Sequence, residues 1–295
     1  MGYRRYSAAG SGPALFLKRR GAYVIGARPA AAARSVMAEI AGLIRGKRGL
    51  IMGVANNRSL AWGIAKACRA AGAELAFTYQ GDALKKRVEP LAQELGGHVV
   101  GHCDVTDAAT LDAVFAAVAQ RWSSLDFVVH AIAFSDKEEL AGRYIDTTPE
   151  NFAQTLQISC YSFTAVAQRA EKLMTAGGAL LTLTYYGAEK WMPHYNVMGV
   201  AKAALEASVR YLAADLGSRN IRVNAISAGP LKTLASAGIS GFSTIMQVYR
   251  ERAPLRKNVE LGEVSDAAMF LLSPASRGIT GEVLMVDSGF SRMGV

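Results

Sequence analysis

A tyrosine and a lysine, Tyr195 and Lys202, stand seven residues apart in the segment Tyr-Asn-Val-Met-Gly-Val-Ala-Lys. If the chain is helical from about Pro193, a separation of seven is close to two turns, so the phenol and the ammonium group project from one face. A cation beside a tyrosine favours the phenolate and lowers a pKa that starts at about 10. We therefore expect an acidic hydroxyl that meets a substrate oxygen, although two residues on a solvated helix face would show the same spacing.

The elements that would hold this pair alternate in type along the chain. A second tyrosine, Tyr185, follows the apolar run Ala-Leu-Leu-Thr-Leu-Thr, and such strand-like runs interleave with helical patterns from residue 47 onward. Alternation of this kind is typical of a parallel sheet covered on both faces. We predict a single-domain α/β fold with a Rossmann-like, doubly wound, seven-stranded parallel sheet. The predicted strands are 49–53, 74–79, 98–102, 126–132, 179–184, 221–227 and 282–287.

Composition and charge restrict the function classes. The chain has 295 residues and is 51% hydrophobic, which is enough for one large core. Its sequence contains no apolar stretch that approaches the roughly 18 residues needed to span a bilayer. The net charge is +9, but residues 1–36 hold seven basic and no acidic residues, which leaves +2 for the rest. Because the body of the chain is nearly neutral, we expect neither a nucleic acid nor a membrane as a partner.

The basic segment 1–36 differs in composition from residues 37–295, which we predict to be the folded domain. Three interpretations of the segment stay open. In the first, it is a dispensable, disordered tail or upstream sequence before a start at Met37. In the second, it is an organelle transit peptide, because it is rich in arginine and lacks acidic residues. In the third, it is an export signal, because Arg19-Arg20 precede an apolar run.

The cysteines and histidines do not have the spacing of metal ligands. Three scattered cysteines, Cys68, Cys103 and Cys160, fit buried thiols in a reducing compartment. We therefore expect a cytoplasmic protein, or a protein of an organelle stroma if residues 1–36 are a transit peptide. No metal is predicted at the four histidines, which are His98, His102, His130 and His194.

The segment Gly53–Gly63 follows the first predicted strand, and parallel sheets bind ligands beyond the carboxyl ends of their strands. A glycine at such a turn lets the backbone approach a pyrophosphate, and free N–H groups at a helix start suit its charge. The segment is not the usual Gly-x-Gly-x-x-Gly, so a plain strand-to-helix loop is the alternative. Its place in an alternating chain favours a dinucleotide site.

The end of the second predicted strand indicates which dinucleotide is used. An acidic residue at this point favours NAD, and a nearby arginine favours a 2′-phosphate. Gln80 is neutral. Lys85, Lys86 and Arg87 lie in a helical pattern, where a solvated face is the expected role. We therefore predict NADH in preference to NADPH.

After the third strand, Asp104 either accepts a hydrogen bond from the adenine amine or caps the helix that begins near residue 107.

Taken together, six segments resemble the bacterial enoyl-acyl-carrier-protein reductases, which are divergent members of the short-chain dehydrogenase/reductase superfamily. The resemblance runs in order from about residue 40 to residue 291. Ordinary members of the superfamily carry Tyr-x3-Lys and a serine on the preceding strand. This chain has Tyr-x6-Lys, with Tyr185 near that strand end. The segments are 53–63, 74–80, 103–105, 181–189, 195–202 and 222–235.

The resemblance implies an NADH-dependent reductase of the type II fatty-acid elongation cycle, which acts on trans-2-enoyl thioesters of acyl carrier protein. Hydride reaches the β-carbon, and Tyr195 donates a hydrogen bond to the enolate oxygen. Lys202 binds the nicotinamide ribose. Tyr185 lines the substrate side, where Ser135 also falls. The resemblance also implies a homo-oligomer, expected to be a tetramer.

The resemblance further assigns the cofactor contacts. The family commonly has Ser-Ile-Gly where this chain has Ala131-Ile132-Ala133, so the backbone angle at Ala133 can differ. Residues 229–252 mix small positions with an apolar helical stripe, which predicts either a lid over cofactor and acyl chain or a surface loop and a packed helix. The cofactor-binding residues implied are Gly53, Ser59, Leu60, Gln80, Asp104, Val105, Ile132, Lys202, Leu231 and Thr233.

Two alternative functions stay open. A short-chain carbonyl or 3-oxoacyl reductase would have the same fold, but the Tyr-x6-Lys spacing counts against it. A non-catalytic dinucleotide-binding regulator should have lost Tyr195 or Lys202, and both are present. The sequence therefore favours the enoyl reductase.

Overall fold

A seven-stranded parallel sheet forms the centre of the computed structural model, which describes residues 42–233, 236 and 241–294. The predicted basic extension, residues 1–36, lies outside the described residues. The strands are β1 (Arg48–Met52), β2 (Glu74–Tyr79), β3 (His98–His102), β4 (Phe127–His130), β5 (Gly178–Thr184), β6 (Ile221–Ala228) and β7 (Val283–Val286).

The order of the strands places a crevice at the centre of the sheet. The order is β3-β2-β1-β4-β5-β6-β7, and every neighbouring pair is parallel. The chain therefore moves outward from β1 to β3 and then returns to the other side of β1. A reversal of this kind opens a crevice beyond the carboxyl ends of the strands. The structure confirms the predicted Rossmann-like, doubly wound sheet and its seven strands.

Helices cover both faces of the sheet. A π-helical segment, Gln157–Tyr161, joins two of the helices, and the turn Phe290–Arg292 follows the last strand. The helices are α1 (Leu60–Ala70), α2 (Gly81–Glu94), α3 (Ala108–Arg121), α4 (Lys137–Ala141), α5 (Pro149–Leu156), α6 (Ser162–Leu173), α7 (Asn196–Leu216), α8 (Phe242–Arg252) and α9 (Leu261–Leu272).

The core forms two layers, one on each face of the sheet. Successive strand residues point to opposite faces. In β1, Ile51 packs in the layer that contains residues of α1, α2 and α9, whereas Leu50 and Met52 pack in the layer that contains residues of α3, α6 and α7. All three side chains have no exposed surface. Burial on both faces explains why the strands appear in the sequence as continuous apolar runs.

Two elements differ from the sequence prediction. The long helix predicted within 149–176 is interrupted by the π-helical segment between α5 and α6. The short helix α4 was not predicted, because five residues are too few to show a period. Its N-cap is Asp136, whose side chain accepts a hydrogen bond from the backbone N–H of Glu138. Among the helices in the described part of the chain, none is both long and apolar enough to cross a membrane.

Candidate active site

Two adjoining cavities lie beyond the carboxyl ends of the strands. The glycine-loop cavity, of about 450 Å³, begins at Gly53 after β1. The tyrosine cavity, of about 740 Å³, is lined by Tyr185 and Tyr195. Leu60 and Ile132 line both, so the two cavities share one wall. Their joined shape suits a long ligand in the first cavity and a second ligand in the other.

The glycine-loop cavity collects most of the residues that the sequence assigned to the cofactor. Lys202 and Leu231 line the tyrosine cavity instead. The other eight of the ten line the glycine-loop cavity, and they are Gly53, Ser59, Leu60, Gln80, Asp104, Val105, Ile132 and Thr233.

The loop after β1 forms a cradle because of one glycine. Gly53 has a φ of 93°, and a Cβ at this position would lie 2.0 Å from the carbonyl oxygen of Ala131. No side chain other than hydrogen fits between β1 and the end of β4. Ser59 is the N-cap of α1, but its side chain does not cap the helix; its hydroxyl donates to the carbonyl of Asn56 at 2.5 Å. The helix start therefore presents uncapped N–H groups, which fit a pyrophosphate.

At the far end of the glycine-loop cavity, Gln80 and Asp104 contact each other. The Gln80 amide donates to the Asp104 carboxylate at 3.2 Å. Thr106 donates from its backbone and from its hydroxyl to the same carboxylate, at 2.9 and 2.7 Å, and these hydrogen bonds lower the pKa of Asp104. The prediction that Asp104 could cap the next helix is wrong, because Asp107 is the N-cap of α3. Asp104 instead stabilises its own turn and orients Gln80.

Lys85 has contacts of its own that keep it on the face of α2. Its ammonium group lies 5.8 Å from the centre of the Tyr79 ring and 3.9 Å from the Glu89 carboxylate. Both contacts fit the predicted solvated helix face. Gln80 remains the group at the end of β2, and it carries no positive charge that would bind a 2′-phosphate.

The tyrosine cavity brings together the residues predicted to do chemistry. Tyr185, Tyr195, Lys202 and Ser135 all line it. The rings of the two tyrosines meet edge to face, with centroids 5.1 Å apart and planes at 73°. Gly187 lies so close that a Cβ there would be 2.4 Å from the Tyr195 ring. The segment that follows β5 therefore fixes the ring of Tyr195 by direct packing.

Helix α7 carries Lys202, which lines this cavity. The helix begins at Asn196 with Tyr195 as its N-cap, close to the predicted start. Lys202 is 5% exposed, and its ammonium group donates to the carbonyl oxygen of Leu183 at 2.8 Å. Burial lowers the pKa of Lys202 to about 8, and the nearby Cys160 and Glu206 oppose that shift. A buried, charged lysine here can bind hydroxyl groups of a ligand and keep the local field positive.

The expectation that Lys202 lowers the pKa of Tyr195 is wrong. The Tyr195 ring is half-buried at the cavity wall, and burial raises the pKa of its hydroxyl above the ordinary value. The phenol of Tyr185 and the carboxylate of Glu206 raise it further. The Lys202 ammonium is engaged with the Leu183 carbonyl. Tyr195 is therefore a neutral phenol, which suits it to donate a hydrogen bond.

Two residues of α7 that the sequence analysis missed support the pair. Glu206 is 7% exposed and accepts a hydrogen bond from Thr184 Oγ1 at 2.7 Å. Burial raises its pKa. Asn196 donates from its amide to three backbone carbonyls, those of Glu139 (2.9 Å), Leu140 (3.2 Å) and Gly142 (2.7 Å). The sequence could have predicted Glu206, because it stands four residues after Lys202 on the same helix. It could not have predicted the contacts of Asn196, because their partners lie in another part of the chain.

Other predicted features of the site have structural roles. The Ser135 hydroxyl lies 3.4 Å from the Asn151 amide oxygen and accepts from Thr155 Oγ1 at 2.9 Å, so its side chain is occupied by protein contacts. Ala133 does not adopt a positive φ, so the loss of glycine there introduces no left-handed strain. In the region of 229–252, Phe242 and Ile245 of α8 line the tyrosine cavity. Residues 234–235 and 237–240 of the predicted lid lie outside the described residues.

The buried histidine of β4 is a structural group. His130 contacts Thr182 Oγ1 at 3.1 Å and Ser162 Oγ at 2.8 Å. Burial, together with the charge of Lys202, lowers its pKa to about 3, so it is neutral near pH 7. Within the part of the chain that the structure describes, no group of three or more His, Cys, Asp or Glu side chains is placed to hold a metal ion.

Comparison with known proteins identifies the family. The family described as enoyl-(acyl carrier protein) reductase matches residues 53–291. Two NADH enoyl-[acyl-carrier-protein] reductases of Rhizobium meliloti (strain 1021) are similar to the chain. Reductase 1 is 67% identical over 88% of this chain and 95% of its own length, and reductase 2 is 61% identical over 85% and 93%.

A solved structure shares both the fold and the sequence. The enoyl-acyl-carrier-protein reductase of Anaplasma phagocytophilum, crystallised in complex with NAD, superimposes with a TM-score of 0.83. It is 59% identical and covers 86% of this chain and 97% of its own. The chain therefore belongs to the enoyl-(acyl carrier protein) reductase family of oxidoreductases.

Proposed function

We propose that this protein is an NADH-dependent enoyl-acyl-carrier-protein reductase, which reduces the trans-2 double bond of enoyl thioesters in the last step of the type II elongation cycle. One observation carries the proposal: Tyr185, Tyr195 and Lys202 line one cavity that adjoins the glycine-loop cavity. Adjoining cavities suit a hydride donor and an acyl acceptor. The NADH in the names of the Rhizobium reductases and the NAD in the Anaplasma structure support this choice of cofactor.

The residues of the glycine-loop cavity fit a dinucleotide. NADH, when bound, supplies the hydride that passes to the β-carbon of the enoyl thioester. The Gly53 backbone and the uncapped start of α1 bind the pyrophosphate. Gln80 and Asp104 bind the adenosine side. The other residues proposed to contact the cofactor are Ser59, Leu60, Val105, Ile132, Leu231 and Thr233.

Tyr195 stabilises the charge that develops during reduction. Addition of hydride to the β-carbon places negative charge on the thioester carbonyl oxygen. Because burial keeps the Tyr195 phenol protonated, it can donate a hydrogen bond to that oxygen throughout the reaction. The oxygen that accepts this hydrogen bond belongs to an enolate, so no alcohol oxygen has to be protonated as the hydride arrives. This chemistry distinguishes the site from that of a carbonyl reductase.

Lys202 and Tyr185 act in the same cavity as Tyr195. Lys202 binds the nicotinamide ribose hydroxyls with its buried ammonium group and keeps the field positive where the enolate forms. Tyr185 meets the Tyr195 ring edge to face and orients the acyl group. Ser135 lies on the same wall, where the backbone meets the substrate. Residues of α8, including Phe242 and Ile245, close the apolar side and exclude water.

The substrate is carried by acyl carrier protein, as the family description suggests. We propose a homotetramer that acts in the cytoplasm, or in an organelle stroma if residues 1–36 direct the protein there. Cys68 and Cys103 are buried thiols and Cys160 is half-buried, which is compatible with a reducing compartment.

An assay with paired substrates tests this function. The loss of NADH or NADPH is followed spectrophotometrically with a series of 2-enoyl thioesters and with acetoacetyl thioester. We expect turnover of crotonyl and longer enoyl thioesters with NADH, and much slower turnover with NADPH or with acetoacetyl thioester. Preference for acetoacetyl thioester would indicate a carbonyl reductase. NADH binding without turnover of any enoyl thioester would indicate a regulator.

A further inference from the structure

A buried serine, Ser159, lies behind the wall that the two cavities share. It belongs to the π-helical segment Gln157–Tyr161 and has no exposed surface. Segments of this type are rare and are frequent at functional sites. Ile158, the preceding residue, lines the glycine-loop cavity. The segment therefore belongs to the framework of the site, although the sequence analysis assigned none of its residues to it.

The hydroxyl of Ser159 binds both backbone groups of one wall residue. It accepts a hydrogen bond from the N–H of Phe134 at 3.0 Å and donates to the carbonyl oxygen of Phe134 at 3.0 Å. Ala131, just after β4, still donates to the carbonyl of Met52 at 3.1 Å. Within the described residues, neither backbone group of Phe134 bonds to another main-chain group. One side chain thus takes the place of a neighbouring strand.

Phe134 occupies the junction of the two cavities. Phe134 and Ile132 line both cavities, and Ser135 lines the tyrosine cavity. In the proposed function, Ile132 contacts the cofactor and Ser135 contacts the substrate. The backbone at Phe134 therefore relates the hydride donor to the acyl group. Hydride transfer needs a close and aligned pair, and a displacement of about 1 Å can lower a rate on the order of 10²-fold.

The next part of the wall is held from the same stretch of helices. Asn151 of α5 accepts a hydrogen bond at Oδ1 from the N–H of Asp136 at 3.1 Å and donates from its amide to the Glu139 carboxylate at 2.9 Å. Of the two cavities, Asp136 lines only the tyrosine cavity. Asn151 thus holds the substrate side of the wall, and Ser159 holds it where the cavities meet.

We propose that Ser159 is a positioning residue, whose hydroxyl fixes the backbone of Phe134 and thereby sets the distance between the bound nicotinamide and the acyl group. This inference rests on the proposed function, because it assigns Ser159 to the hydride-transfer geometry of that site. Ser159 has no exposed surface, so it acts through Phe134 and does not touch the reacting atoms. Water cannot replace its hydroxyl unless the wall moves.

Kinetics of Ser159→Ala test the positioning role. The loss of the hydroxyl leaves both backbone groups of Phe134 without this partner. We expect kcat/KM for crotonyl thioester to fall about 10- to 100-fold, with an NADH dissociation constant within about threefold of wild type. The isotope effect on kcat/KM, measured with NADH deuterated at the transferred position, should increase as hydride transfer slows. A variant that only loses active molecules would keep its KM and its isotope effect, and that result would overturn the proposal.

Two further variants separate the hydroxyl from the general effect of a buried serine. Ser159→Cys keeps a weaker donor and acceptor in the same place and should recover part of the activity that Ser159→Ala loses. Ser265→Ala is the matched control. Ser265 of α9 is 3% exposed and donates to the carbonyl of Leu261 at 2.7 Å, and it lines neither cavity. Its loss should leave kcat, KM and the isotope effect unchanged. Equal effects of Ser265→Ala and Ser159→Ala would contradict the proposal.

Hydrogen exchange gives a readout that does not depend on turnover. In Ser159→Ala, the peptide that contains the Phe134 amide should exchange about one hydrogen 10-fold or more faster than in wild type, whereas β5 should keep its protection. If the wild-type protein reduces no enoyl thioester but this exchange is accelerated, the proposed function is wrong and the hold of Ser159 on Phe134 stands. If the wild-type protein is active and Ser159→Ala changes neither exchange nor kinetics, the positioning role is wrong and the proposed function stands.

Discussion

The glycine-loop cavity is shaped mainly by backbone turns, whereas the tyrosine cavity is shaped by side chains from distant parts of the chain. In the first, Gly53 lies against the carbonyl of Ala131, and the turn at Asp104 is closed by Thr106. In the second, Tyr185, Tyr195 and Phe242 come from the ends of three different elements. The comparison suggests that changes in the first cavity affect cofactor binding and stability, whereas changes in the second, apart from those at Lys202 and Leu231, affect acyl binding and turnover.

The largest effect is expected from Gly53→Ala. The new Cβ would lie 2.0 Å from the Ala131 carbonyl oxygen, in a left-handed conformation with a φ of 93°. We expect the free energy of unfolding to fall by about 3 kcal/mol or more and NADH binding to be lost. Urea unfolding and NADH titration measure the two effects.

Gly81→Ala is the matched control for the glycine substitution. Gly81 also has a positive φ, of 71°, but a Cβ there meets nothing within 4 Å. The cost should be about 1 kcal/mol, from backbone strain alone. Equal destabilisation by the two substitutions would show that close packing of β1 against the end of β4 does not shape the cavity.

The pH dependence of NADH binding should report the charge of Lys202. Burial lowers its pKa to about 8 from an ordinary value of 10.5. The fraction of charged Lys202 therefore falls about tenfold between pH 7 and pH 9, and the NADH dissociation constant should rise by up to that factor. Lys202→Met should bind NADH weakly at every pH. A wild-type affinity that is constant over this range would contradict the role given to Lys202.

The same pKa shift predicts the sign of a stability change in the cofactor-free protein. The unfolded chain holds the Lys202 proton up to about its ordinary pKa of 10.5, and the folded protein only to about 8. Lys202 therefore disfavours folding at neutral pH, and this cost is relieved as the pH rises from 8 to 10.5. The difference in unfolding free energy between Lys202→Met and wild type should shrink over that interval. If the difference in unfolding free energy widened over this interval, the pKa of Lys202 would be shifted in the opposite direction.

A smaller effect, on acyl binding, is expected from Asn196→Gly. The substitution removes the side-chain amide that donates to three backbone carbonyls around α4, a helix that lines the tyrosine cavity. Glycine tolerates the φ of 35° at this position, so the substitution adds no backbone strain. KM for enoyl thioesters should rise about 3- to 10-fold, with an unchanged NADH dissociation constant. Asn196→Ala adds backbone strain and should be less stable. An equal loss of NADH affinity would mean that the two cavities are not independent.

The smallest effect is expected from Lys85→Ala. Lys85 lies over the Tyr79 ring and near Glu89 on α2. The ratio of NADH to NADPH affinities should stay within about twofold of wild type, since an exposed pair contributes little. Gln80→Arg places a cation at the end of β2 and should raise the relative affinity for NADPH. A marked loss of NADPH binding in Lys85→Ala would show that Lys85 reaches the ribose.

The two cavities also differ in how far the sequence predicts them. Residues at the ends of parallel strands must converge, so Gly53, Gln80 and Asp104 could be placed in one site from the strand pattern alone. The spacing of Tyr195 and Lys202 likewise follows from one helix. Their roles in binding and catalysis stay predictions, which the variants described here test.

Other properties of the site depend on tertiary packing and have no local signal. The raised pKa of Tyr195 results first from burial and then from the electrostatic effect of the nearby Tyr185 and Glu206. The presence of a lysine two turns away predicts the opposite direction. Phe242 and Ile245 of α8 line the tyrosine cavity, although they lie more than 40 residues beyond Tyr195 in the chain. A sequence pattern reports neighbours on one element and cannot report such enclosure.

The most direct test of this account is the Tyr195→Phe variant, measured with crotonyl thioester and NADH. Loss of the single phenol hydroxyl should lower kcat on the order of 10² to 10³, the typical effect of removing one oxyanion donor. NADH binding should be unchanged, because the cofactor residues lie mainly in the glycine-loop cavity. Turnover close to that of the wild-type protein would contradict the assignment of Tyr195 as the hydrogen-bond donor to the enolate.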